Sequence, residues 1–332
     1  MDAENHSGIF QNLFQEDGKH RGMTVFHWNI NRDTSLNQLI KNNIEWVAVV
    51  PFLYQETDTT EVMYTPDTMG VWGKRDSVFI DVINSIYERD MYVMLKPHLW
   101  MRKGWRSDIK HNSEQGWEDW FESYRCNLIH YAIMAEHTGV DMLCIGTELR
   151  SSILKQPKMW SSLIDEIREI YSGKLTYAAN WDAEYADIPF WSEMDFIGIQ
   201  AYYPLTSQPY PELHEIQAGW KKHLRMPESF SKKYQKPVLF TEIGYRSDHI
   251  ATIEPWLWNS QLDSTSIQCT KTQNLAYEAL FRELWHKEWF AGMFFWQWHN
   301  TSSDRHHHEN RDFTPRFKPA ENTIARWYGK SD

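Results

Sequence analysis

Short apolar runs and longer amphipathic stretches alternate along the chain. Runs rich in β-branched and aromatic residues mark strands near 24–28, 46–52, 92–98, 142–147, 175–180, 196–202, 238–241 and 293–296. Between them, helical periodicity is present near 34–43, 76–90, 115–139, 159–172, 219–235 and 270–290, with a short weak pattern at 187–194 and a last one near 320–329. Strand followed by helix, repeated eight times without linker, internal repeat or low-complexity stretch, predicts an α/β protein with a single (β/α)8 TIM barrel over residues 22–332, entered from an N-terminal extension over 1–21. A doubly wound open sheet is the competing arrangement, but no Gly-rich phosphate fingerprint follows the first strand.

In an eightfold barrel the C-terminal ends of the strands face one common mouth. Here those ends carry His27, Trp28 and Asn29, then His98 and Trp100, Glu148, and Asn180, Trp181 and Asp182. Gln200, Tyr202 and Tyr203, then Glu242, then Trp296 and Trp298 complete the set. Residues on one face of a strand differ by even numbers, so Lys96 is expected to share the inward face with His98, Gln200 with Tyr202, and Trp296 with Trp298. Glu148 ends the apolar run 142–148 and Glu242 the run 238–242. An ionised carboxylate beside an apolar layer carries a large desolvation cost, so its occurrence at two strand ends calls for a chemical reason. Glycoside cleavage supplies one, because it needs a carboxylic acid to protonate the leaving oxygen and a second carboxylate to attack or to activate water. The alternative is structural: each glutamate caps the next helix or pairs with Arg150 or Arg246.

The bulk numbers narrow the partner. With 34 Lys and Arg against 45 Asp and Glu the formal charge is -11, which disfavours nucleic acid and anionic membranes and fits a neutral polysaccharide or oligosaccharide. No apolar stretch approaches the ~20 residues of a membrane span, and the polar start is no signal peptide, so the chain is expected to be cytoplasmic or to have lost a targeting segment. The 3 cysteines are too few and scattered for a disulfide framework, and Cys144 reads as a small core residue. The 18 tryptophans are the compositional outlier. Flat aromatic faces pack well against the C–H face of a pyranose, so they agree with a carbohydrate site. His306, His307 and His308 prompt a metal-dependent hydrolase as a rival, but three consecutive histidines cannot face one ion from a regular strand, and no metal or cofactor is expected. A non-catalytic carbohydrate-binding barrel would not need both glutamates.

Glutamates ending the fourth and seventh strands of such a barrel resemble the clan A retaining glycoside hydrolases. Within that clan, Ile145-Gly146-Thr147-Glu148-Leu149, the segment from Phe240 to Ser247 and the segment from Asp195 to Pro204 are similar to glycoside hydrolase family 113, the endo-β-1,4-mannanase family. The likeness runs roughly from residue 22 to 329 and includes Phe313-Thr314-Pro315 and Lys318-Pro319-Ala320. It implies that Glu148 is the general acid/base and Glu242 the nucleophile, with Tyr202 supporting the nucleophile and Trp296 forming the sugar platform where cleavage occurs. The chain departs from the wider clan at two positions. Thr147 stands where most members place the Asn that contacts the sugar 2-hydroxyl, which makes Asn180 the candidate for that contact, and Gln200 stands where many have His. Trp28, His98, Gln200 and Trp298 complete the expected substrate-binding set. Exo-acting mannosidase or another β-glycanase is the rival specificity, because loops set it.

Overall fold

The computed structural model describes residues 12–26, 28, 31–63, 74–182, 184–262, 265–299 and 311–330. His27, Asn29 and His306 to His308 lie outside the described residues. Among the described residues eleven strands run in chain order as β1 (His20–Phe26), β2 (Trp46–Val49), β3 (Phe52–Gln55), β4 (Val62–Met63), β5 (Tyr92–Leu95), β6 (His98–Met101), β7 (Met142–Thr147), β8 (Lys174–Asn180), β9 (Phe196–Gln200), β10 (Val238–Ile243) and β11 (Phe290–His299). Eight of them close a parallel barrel in the order β1-β11-β10-β9-β8-β7-β5-β2. β7 and β10 are thus the fourth and seventh staves.

The expected runs 46–52 and 92–98 are each broken in two. Pro51 and Pro97 follow β2 and β5 and remove a ladder donor, so each barrel stave stops there. Beyond the prolines, β3 and β6 pair in parallel and β4 joins antiparallel, forming a three-stranded sheet above the barrel rim. His98 therefore stands on this upper sheet.

The helices are α1 (Phe14–Asp17), α2 (Arg32–Lys41), α3 (Lys74–Tyr87), α4 (Glu114–Thr138), α5 (Arg150–Lys155), α6 (Pro157–Ile170), α7 (Glu184–Asp187), α8 (Leu213–His223), α9 (Arg225–Tyr234), α10 (Thr270–Leu284) and α11 (Pro319–Tyr328). Local chemistry sets several boundaries. Ser113 caps α4 by accepting from the Gly116 N–H, and Gly139 ends it in the left-handed region at φ 71°. Pro157 opens α6 at its first position, where a missing N–H costs nothing. The helix expected over 219–235 is two helices, with Pro227 in the first turn of α9, where its ring starts a new helix but could not continue an old one. Trp160, Leu163, Ile164 and Ile167 of α6 show the i, i+3, i+4, i+7 spacing of a buried face.

Two apolar layers result. Inside the barrel, Trp46, Ala48, Met94, Met142, Cys144, Ala178, Leu239 and Phe294 form one cluster, while the alternate positions Val47, Val93, Leu143, Ile197 and Phe240 join the helices in the outer core. At the N-terminal end, Phe14 packs edge-on against His20, Trp46 and Tyr92. Glu45 anchors that plug by accepting from the Leu13 and Phe14 N–H groups. Where neighbouring staves come closest, only glycine fits. A Cβ on Gly198 of β9 would lie 2.2 Å from the Tyr177 carbonyl oxygen of β8.

Backbone at that distance cannot move aside without shifting the strand, so Gly198→Ala is expected to lower unfolding free energy by about 1–3 kcal/mol, the usual cost of overpacking. Urea titration of the variant beside the parent chain measures it.

Candidate active site

Simple alternation along β10 puts Leu239 inside the barrel and Phe240 outside, which would send Glu242 outward. The pairing with β9 shows otherwise. Phe240 lies opposite Ile199 and Glu242 opposite Gln200, so one extra residue sits on β10 between them. Such a bulge re-aims the side chain that follows it, and Glu242 turns inward beside Gln200. β7 has the same feature, with Cys144 opposite Thr176 and Thr147 opposite Ala178. The next residue, Glu148, adopts a left-handed backbone at φ 51°. For a residue other than glycine that costs of order 1–3 kcal/mol and persists only where the surroundings over-determine it. Here they do: the Glu148 N–H donates to the Ala178 carbonyl at 2.9 Å, its own carbonyl accepts from the Ser107 hydroxyl at 2.8 Å, and the Leu149 N–H donates to the Tyr177 hydroxyl at 2.5 Å.

Both carboxylates are buried, at 4% and 3% exposure, and each has a cation at hand. Neither pairs with Arg150 or Arg246, which bind Asp187 and Asp248 instead. Glu242 receives the ammonium of Lys96, which also donates to Gln200 Oε1 at 3.0 Å. Its other oxygen accepts from the Tyr202 hydroxyl at 3.0 Å. The His98 Nδ1 lies 3.8 Å from Glu242 Oε1, and burial, with Arg106 and Lys96 nearby, holds His98 well below the ordinary imidazole range, hence neutral. Glu148 is bound by Arg106, whose guanidinium lies 4.3 Å over the Trp105 ring. Burial raises the Glu148 pKa most; Arg106 and Lys96 pull it back, Glu242 pushes it further up, and the net direction is upward. One carboxyl is thus favoured toward its protonated form while the other faces an ammonium and a hydroxyl donor.

Of the residues marked in the sequence, the structure brings together Glu242, Gln200, Tyr202 and His98: parity pairs Gln200 with Tyr202, while Glu242 reaches the group through its bulge and His98 from the upper sheet. Trp296 joins them through a small cluster with Tyr202 and Phe313, and its ring meets Phe26 edge-on at 4.9 Å and Trp258 at 6.0 Å. Trp298 does not share that face. Met23 pairs with Phe295 and Val25 with Trp298, so β11 also carries an extra residue, and Trp298 is turned into the outer core under Arg316. Trp28 is likewise packed in the outer core. Asn180 is half-buried at the end of β8 and lines a cavity of about 670 Å³ together with Asp58, Trp105, Ser107, Arg150 and Glu184. That cavity lies on the Glu148 side of the mouth, beside the loop whose Ser107 holds the Glu148 carbonyl.

Two groups escaped the sequence reading. Arg106 sits in a three-residue 3-10 turn after β6, where no periodicity marks it. Glu184 opens the four-residue helix α7 and is fully buried, with no apolar run to announce it. Lys96 carried a signal, since it stands two residues before His98 at the end of a stave. Among the described residues no group of three or more His, Cys, Asp or Glu is arranged to hold a metal ion.

The comparisons with known proteins agree with the fold. A β-1,4-mannanase of glycoside hydrolase family 113 solved as a complex superimposes at a TM-score of 0.80 with 25% identity, covering 93% of this chain and 98% of that one. The family 113 β-mannanase of Alicyclobacillus acidocaldarius, solved in complex with ManMIm, gives 0.81 with 26% identity, covering 94% and 97%. A β-glucuronidase from Faecalibacterium prausnitzii shares the fold alone, at 0.60 with 14% identity, covering 93% of this chain and 48% of that one. No curated protein matches the chain. The model of Glycoside Hydrolase Family 113 matches residues 24–318, and the chain belongs to that family as a single-barrel glycoside hydrolase.

Proposed function

We propose that this enzyme is an endo-β-1,4-mannanase that hydrolyses mannan or manno-oligosaccharides with retention, using Glu148 as general acid/base and Glu242 as nucleophile. The observation that carries this reading is the unequal treatment of two buried carboxyls at the ends of the fourth and seventh staves, in a chain whose solved relatives of the same family are β-mannanases.

Burial keeps a proton available on Glu148 for the departing glycosidic oxygen, so the leaving-group sugar belongs on the Glu148 side, where the cavity beside Trp105 and Asn180 offers room. Glu242 attacks the anomeric carbon from the opposite side. Tyr202 and Lys96 orient its oxygens and take up the charge that changes as the glycosyl-enzyme forms and breaks. Once Glu242 is esterified its negative charge is gone, and with it the repulsion that raises Glu148; Arg106 then favours the carboxylate form that activates water. Trp296 offers a flat face at the cleavage subsite, and Asn180 remains the candidate for the axial 2-hydroxyl of mannose. The acid/base chemistry is complete with two carboxylates, and no cofactor enters it.

Reducing-sugar release from β-1,4-mannan is expected, and hydrolysis of xylan, cellulose or galactan with none of mannan would overturn the specificity. Glu148→Ala and Glu242→Ala are each expected to remove most activity, by at least about 10²-fold as for loss of a general acid. With an activated aryl glycoside, azide should restore turnover of Glu148→Ala to a product of retained configuration, and of Glu242→Ala only to an inverted one. Proton NMR of the azide products reads the difference, and the swapped pattern would reverse the roles.

The pH profile follows from the direction of the Glu148 shift. Glu148 must be protonated in the first step, so kcat/KM falls as pH rises through its pKa, and burial places that alkaline limb above the range of an ordinary glutamic acid. Arg106 opposes the shift, so Arg106→Met is expected to move the limb further toward alkaline pH. A limb that stays in place or moves toward acid would show that Arg106 does not act on Glu148.

A further inference from the structure

We propose that Tyr177 and Glu184 form a buried pair that holds the backbone of the acid/base in place, making both of them positioning residues for proton delivery to the leaving group. The inference rests on the assignment of Glu148 as acid/base.

Tyr177 lies on β8, fully buried, with its ring packed edge-on against Trp160 and Phe190. Its hydroxyl emerges beneath the turn that carries Glu148. A phenol has one proton and lone pairs to accept, and here both uses are defined: it donates to Glu184 Oε1 at 2.8 Å and accepts the Leu149 N–H at 2.5 Å. The second oxygen of Glu184 accepts the Asn180 N–H at 2.7 Å. Glu184 thereby ties the end of β8 to the peptide immediately after Glu148. The Leu149 carbonyl is held in turn by the Ser152 hydroxyl at 2.9 Å, which accepts from the Trp160 indole at 3.1 Å.

The backbone at Glu148 needs such support because it sits at φ 51°, from which relaxation toward ordinary strand or helix geometry would swing the carboxyl away from the mouth. Burying a carboxyl in the wall has a desolvation cost, and burial pushes Glu184 up to about 8 against the hydrogen bonds from Asn180 and Tyr177. No step of the hydrolysis uses Glu184 or Tyr177 directly. Their hydrogen bonds end on backbone, at Leu149 and Asn180, which is what a positioning role requires.

A loss of acid placement hurts only substrates that need the acid. Tyr177→Phe keeps the ring and its packing but removes the hydroxyl, so kcat/KM on mannohexaose is expected to fall ~30–100-fold, the scale of a small misplacement of a catalytic group. The fall on 2,4-dinitrophenyl β-mannobioside, whose leaving group departs unprotonated, is expected to be at least ~10-fold smaller. Glu184→Ala should discriminate between the substrates in the same sense, and Glu184→Gln, which retains one acceptor oxygen, should fall between it and the parent. Thermal unfolding is followed for each variant; should Tyr177→Phe not fold, the two Glu184 variants carry the comparison. Equal losses on both substrates, or no loss on mannohexaose, overturn the positioning role. A parent enzyme inactive on both mannosides overturns the proposed function instead.

Discussion

A carboxylate taken out of water at the rim of a parallel barrel has to be compensated where it stands, and the compensation of Glu242 by Lys96 organises much of this structure. The effective penalty for burying either ion is several kcal/mol, and removing one partner of such a pair typically costs about 3–5 kcal/mol because the other is left uncompensated. Lys96 is itself fully buried, and from the end of β5 its ammonium donates to Glu242 on β10 and to Gln200 on β9. One side chain thus crosses the barrel mouth and joins three staves through a polar contact in a place where the inner apolar cluster has ended. Tyr202 completes the set from beyond β9. These contacts also fix where Glu242 points, so the groups that make its burial tolerable are those that aim it.

The second carboxyl is treated differently. Glu148 has Arg106, but the guanidinium comes from a loop and also lies over an exposed tryptophan, whereas Lys96 comes from a stave. Burial is the largest cause of the upward shift at Glu148, and Glu242 adds to it. In the proposed double displacement that ordering matters, because burial would persist through both chemical steps while the charge on Glu242 would be lost on esterification. Arg106 would then offset the part of the shift that remains when the proposed second step requires Glu148 as base.

Irregular backbone surrounds both carboxyls. β7, β10 and β11 each carry one residue more than the neighbour they pair with near the rim, and the barrel strands β2 and β5 are cut by proline just below it. Regular staves build the apolar interior, where side chains must alternate strictly to fill the layer. At the mouth that rule relaxes, and bulges select which side chain faces the pocket. Close approaches reinforce the pattern: a Cβ on Gly244, two residues after Glu242, would come within 2.3 Å of the Trp296 carbonyl oxygen.

Eight apolar runs spaced by helical periodicity were enough to specify the barrel, because strand and helix periods are local properties and a parallel strand order follows from their alternation. The same local reading marked Glu148 and Glu242, since a charged residue ending an apolar run stands out without any knowledge of its neighbours. It also paired Lys96 with His98 and Gln200 with Tyr202. Parity failed for Trp296 and Trp298, because the extra residue on β11 is defined by the strand beside it and has no signature in its own sequence. Tyr202 was marked as a support for the nucleophile, but the sequence did not match either glutamate to its cation: Arg106 comes from a short turn 42 residues before Glu148, and Lys96 lies 146 residues before Glu242. Sequence determined which residues carry charge at the ends of staves; only the closed barrel, by bringing distant rims together, decided which cation meets which carboxylate and buried Glu148 so that its pKa is raised.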